Sequence, residues 1–83
     1  MVTHVTDEET MTDIVQDLPS GTYLIMTKKP NYGGHRNTIA RKESEDTWVE
    51  REIDPNGGEH HRTYSDNGVA RGILAGGHYW AFS

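Results

Sequence analysis

The sequence predicts an α+β fold. It is read as a single small domain in which an N-terminal helix and a second short helix pack an antiparallel sheet of four to five strands, in the order α-β-β-β-β-α-β. Three observations predict it. Residues 7–17 carry apolar side chains at helical spacing. Between residues 22 and 82, short segments rich in Thr, Ile, Val and aromatic residues alternate with clusters of Gly, Pro, Asn and Asp. The chain has only 83 residues, with no internal repeat and no linker, which leaves room for one unit.

The first helix is announced by Thr6-Asp7-Glu8-Glu9, a capping-box pattern with Thr6 as the expected cap and acids in the first turn. Met11, Ile14, Val15 and Leu18 then form one narrow apolar stripe, and Pro19-Ser20-Gly21 closes the helix. Thr22 to Lys28 is apolar on both alternating faces, the pattern of a central strand covered on both sides. Pro30-Asn31-Tyr32-Gly33-Gly34 is a loop. Arg36 to Lys42 is a polar strand around Thr38, Ile39 and Ala40, followed by a turn at Glu43-Ser44-Glu45-Asp46. Thr47 to Ile53 pairs with it, offering Trp48, Val49 and Ile53 for burial. Asp54-Pro55-Asn56-Gly57-Gly58 is the strongest turn signal, and Glu59 to Tyr64 is a polar strand. Ser65 to Gly77 fits two descriptions. As a helix it is capped by Ser65 or Asp66, turns Val69, Ile73 and Leu74 inward and ends at Gly76 or Gly77; as a strand, Val69, Arg71 and Ile73 alternate with their neighbours. The helix is preferred, although Gly68 and Gly72 weaken it. His78 to Phe82 closes the sheet, with Trp80 and Phe82 on one face. Trp48, Trp80, Tyr23 and Phe82 are the expected aromatic core.

That core is thin. Five Ile, five Val, three Leu and one Phe are few for 83 residues, but the net charge of −5 is too small to hold the chain open, and seven aromatic residues are available to pack. A domain of this size is marginal alone, so a protein partner is expected and a homodimer would be unsurprising. Cysteine is absent, which excludes disulfides and thiolate metal sites. No apolar run approaches the ~20 residues of a membrane-spanning helix. Met1-Val2-Thr3-His4-Val5 has neither the basic nor the apolar part of a signal peptide, so no membrane association and a cytoplasmic location are expected.

The charge is arranged in blocks: −5 over residues 1–18, +5 over 19–42, −6 over 43–59 and +1 over 60–83. The acidic blocks suggest a surface for a protein partner, formed by Asp7, Glu8, Asp13 and Asp17 on the helix and by Glu43, Glu45 and Asp46 in the turn. Such a surface could occupy a basic groove by imitating the charge of nucleic acid. Tyr32, in a polar loop, is the aromatic expected to be exposed and in contact. A second candidate follows from three Gly-Gly pairs, each trailed by histidine. With up-and-down connections they fall at one end of the sheet, gathering Lys28, Lys29, His35, Arg36, His60, His61 and His78 into a rim that could take an anion or phosphate, or, with Glu59, a metal ion. No ligand motif is present, and neither a metal site nor a cofactor is expected.

Catalysis has little to stand on: there is no Cys and no Gly-x-Ser-x-Gly elbow. Glu50 and Glu52 share a strand face as paired carboxylates, which cross-strand pairing with Arg41 or Arg62 explains. The order α-β-β-β-α overlaps that of the double-stranded-RNA-binding domain. However, the second helix offers only Arg71 where those domains place a lysine cluster, and an acidic chain opposes phosphate binding, so nucleic acid is not expected as a partner. In size and composition the chain resembles small acidic accessory proteins of phages and mobile elements that bind and inhibit a host protein. The expected function is therefore a non-enzymatic protein-binding module.

Overall fold

The computed structural model describes residues 6–28, 36–53, 56–76 and 79–83. The elements are α1 (Glu8–Asp17), β1 (Tyr23–Lys28), β2 (Arg36–Ser44), β3 (Thr47–Ile53), β4 (Glu59–Tyr64), α2 (Asp66–Gly76) and β5 (Tyr79–Phe82), in the order expected from the sequence. The five strands form one antiparallel sheet in the order β4-β3-β2-β1-β5.

Both helices lie on the same face of that sheet. Met11 and Val15 of α1 and Val69, Ala70 and Ile73 of α2 are buried against Leu24, Met26, Ala40 and Trp48 of the strands. Met11 and Val15 of the α1 stripe face inward and Leu18 packs at the margin of the same cluster, while Ile14 is half-buried outside it. Its cap, however, is Asp7 and not Thr6: the Asp7 carboxylate accepts the Thr10 backbone N–H at 2.8 Å. The ambiguous segment is a helix. Ser65 caps it by accepting the Gly68 N–H at 3.0 Å, and Val69, Ala70 and Ile73 supply the buried side. Gly72 sits inside this helix with nothing within 4 Å of where a Cβ would stand. Gly72→Ala should therefore stabilise the protein by up to ~1 kcal/mol through helix propensity, read as a rise in thermal midpoint.

Strand β2 runs two residues further than its polar sequence suggests, to Ser44, through a register shift between Lys42 and Ser44. The turn narrows accordingly to Glu45 and Asp46, with Asp46 at φ 57°. The Asp46 carboxylate then accepts the Asp66 N–H at 2.8 Å, so the β2–β3 turn helps to hold the start of α2.

A buried polar knot ties the layers together. Lys42, 4% exposed, donates to the carbonyls of Gln16 and Leu18 at 3.0 and 2.8 Å and stands 3.6 Å from the Asp66 carboxylate. Trp48 Nε1 donates to the same carboxylate oxygen at 2.7 Å, and the ammonium lies 5.9 Å from the Trp48 ring centroid. Asp17, an acid in the last turn of α1, opposes the helix dipole; Lys42 supplies the positive charge that this end needs.

The expectation that β1 is covered on both sides is corrected here, as is the assignment of three aromatics to the core. Strand β1 is central, between β2 and β5, but the two helices occupy one face only. Leu24 and Met26 are buried, Ile25 is half-buried and Tyr23 is exposed. Trp48 is fully buried on the helix side. Tyr23, Trp80 and Phe82 alternate to the other face, and among the described residues nothing covers them.

Candidate functional site

Strand registers build the uncovered face row by row. One row reads Phe82, Tyr23, Arg41, Val49, Thr63 from β5 across to β4; the next reads Trp80, Ile25, Ile39, Arg51, His61. The side on β5, β1 and β2 is apolar and the side on β3 and β4 is polar. Tyr23, Ile39, Trp80 and Phe82 are 38, 48, 56 and 47% exposed, leaving roughly 400 Å² of large apolar side chain open, as much as the largest patch on an ordinary monomer and often a contact site. The Tyr23 and Phe82 rings stack at 5.5 Å and 14°, and the Arg41 guanidinium lies 5.7 Å from the Tyr23 ring centroid. These contacts restrict the freedom of the exposed aromatic rings.

The charges on this face are balanced. Arg41 donates to Glu43 at 2.7 Å, and Arg51 donates to Glu59, which also meets His61 Nε2 at 3.1 Å. The Arg51 hydrogen bond, assisted by His61, holds the Glu59 carboxyl below its ordinary range. Glu43 holds the Arg41 guanidinium even more firmly protonated. Strand β5 carries no charge and is exposed along its whole length.

The residues singled out from the sequence are distributed differently. Asp7 caps α1; Glu8 accepts from Asn67 Nδ2 at 2.9 Å and lies 3.8 Å from Arg71 Nε, joining the two helices. Glu43 pairs with Arg41, and Asp46 holds the start of α2. Asp13, Asp17 and Glu45 are exposed. Glu8, Glu9, Thr12, Asp13 and Asn67 line an open groove of about 380 Å³ between the helices. Several of the acids thus have structural partners that the sequence did not suggest. Glu50 is buried on the helix side, opposite Arg62, with Tyr64 Oη 3.4 Å away; Arg41, on the other face, is not its partner.

Asp7 gives a pH-dependent test. The Thr10 hydrogen bonds hold its carboxyl below the ordinary value of 3.8. A depressed folded-state value means that the cap contributes in full above the unfolded value and is lost as pH falls through the folded one. The difference in thermal midpoint between the wild type and Asp7→Ala should be constant near neutral pH and shrink below pH 3.8.

Of the expected rim, Lys29, His35 and His78 lie outside the described residues, as does Tyr32. The strand directions do bring Lys28, Arg36, Ile53, Glu59 and Tyr79 to one end of the sheet. His60 and His61 are near that end on β4, whereas β5 is at the far edge, four strand spacings or about 19 Å away. His60 and His61 face opposite sides of the sheet, and only His61 joins Arg51 and Glu59. Among the described residues no group of three or more His, Asp or Glu is placed to hold a metal ion, and no helix is long and apolar enough to cross a membrane.

The signal for the uncovered face was present in the sequence as the two-sided apolar character of Tyr23 to Lys28. That pattern predicts cover on both sides, and the described elements supply it on one. No family model matches the chain, and no curated protein or solved structure matches it either.

Proposed function

We propose that the chain is a protein-binding module whose contact surface is the uncovered sheet face centred on Tyr23, Ile25, Ile39, Trp80 and Phe82. One observation carries this reading: the patch is contiguous and apolar, and no described element of the chain covers it. Its anatomy suits a protein contact, with aromatic anchors in an apolar centre and an Arg51–Glu59–His61 rim at one side. Exposed aromatics on a sheet also suit stacking of single-stranded nucleic acid. Here both arginines of the face are already paired with glutamates, and the chain is acidic, which disfavours phosphate.

A photo-crosslinking amino acid placed at Phe82, compared with one at Asp13 on the helix layer, tests this in the cells that produce the protein. Adducts with a polypeptide from position 82 and few from position 13 are expected. Adducts from position 13 alone, or from neither, overturn the reading.

A further inference from the structure

Resting on that reading, we infer that the partner is a second copy of this chain, packed face to face through the uncovered sheet to give a two-fold dimer with two sheets inside and two helix layers outside.

Charge is the first argument. The helix layer carries Asp7, Glu8, Glu9, Asp13 and Asp17 with no base between residues 7 and 18, and it lies on the side of the sheet away from the patch. On the uncovered face Arg41 and Arg51 balance Glu43 and Glu59. A chain of net charge −5 meets its own copy at least electrostatic cost through this neutral side. Two sheets packed ~10 Å apart, with the helices beyond them, keep the acidic layers further apart than the ~8–10 Å over which salt screens charge. A basic partner would be drawn to the helices instead.

Size is the second. Five strands at ~4.8 Å and about six residues at ~3.3 Å give a projected face on the order of 480 Å², and the accessible area of its corrugated side chains is larger. The whole face therefore approaches the ~800 Å² per partner of a specific complex. A short peptide added along β5, which has four residues, would leave Tyr23, Ile25 and Ile39 uncovered. Sequence pattern is the third: β1 has the two-sided apolar composition of a strand inside a layered core, and a second copy supplies the missing layer.

Sedimentation of the purified chain over a wide dilution series tests this. The expected species at high concentration has twice the 9.4 kDa chain mass and dissociates on dilution. Iodide quenching should report the same transition, because Trp48 is buried in both states and Trp80 is protected only in the dimer. Trp80→Glu should shift dissociation by at least tenfold in concentration with unchanged circular dichroism, whereas Trp80→Phe should retain the dimer. A wild-type monomer at every concentration, or a dimer indifferent to Trp80→Glu, overturns the inference. Edge-to-edge pairing through β5 also overturns it, and would be recognised by disulfide capture of Ala81→Cys, a position on the helix side of β5, in this cysteine-free chain. If the purified chain is monomeric but position 82 captures a different protein in cells, the second copy fails and the binding module stands; if neither associates, both fail.

Discussion

Replacing Lys42 with methionine is expected to lower the unfolding free energy by about 3–5 kcal/mol, the loss seen when one member of a buried ion pair is removed. A domain of 83 residues has roughly 4–12 kcal/mol in total, so much of the population would unfold near physiological temperature. The size of the effect follows from what Lys42 touches. Its ammonium satisfies the carbonyls of Gln16 and Leu18 at the end of α1 and faces the Asp66 carboxylate at the start of α2. Methionine fills a similar volume but leaves two carbonyls and a carboxylate short of a partner, with Trp48 Nε1 still donating to the Asp66 carboxylate. Adding Asp66→Asn to Lys42→Met should recover part of the loss, because an amide keeps an acceptor for Trp48 while removing the uncompensated charge. Chemical denaturation of the four members of that cycle measures the coupling. A loss below about 1 kcal/mol for Lys42→Met, the range of exposed pairs, would show that the knot is not a stabilising contact.

Lys42 also marks where the sequence stops being informative. The period of Met11, Ile14, Val15 and Leu18 is local, and it specifies a helix and its inward side without reference to anything else. The strands and their turns are legible for the same reason. The role of Lys42 is not local: its partners are 24 and 26 residues upstream and 24 downstream, so within its own strand it reads as one more exposed base. The acids behave likewise. Asp46 holds the start of a helix 20 residues away, and Glu8 reaches Asn67 at a separation of 59, whereas in the sequence both belong to an acidic surface. Local competition also shifts the first cap, since the Asp7 carboxylate reaches the Thr10 N–H and displaces Thr6 from that role. The uncovered face is a different kind of failure. The apolar character of both sides of β1 predicts cover on both, and the described elements supply it on one side only.

The two tryptophans turn that distinction into a measurement. The sequence assigns both to the core, and a residue count cannot separate them. Trp48→Ala should lower the unfolding free energy by about 3–5 kcal/mol at every protein concentration. It removes the largest buried side chain, opens a cavity in the cluster that also holds Leu24 and Val69, and takes away the indole N–H that holds Asp66. Trp80→Ala removes a side chain that is 56% exposed and opens no cavity. In dilute solution its loss should stay within about 1 kcal/mol, the size of a cross-strand pair such as the one it forms in register with Ile25. Its effect should grow only at concentrations where the wild type is associated, because a bound copy stabilises the folded state by mass action and the variant forfeits that term. Unfolding followed at two widely separated concentrations therefore separates the residues by slope as well as by size. If Trp80→Ala is as damaging in dilute solution as Trp48→Ala, the face is covered within the chain itself, and the surface on which the proposed function rests does not exist.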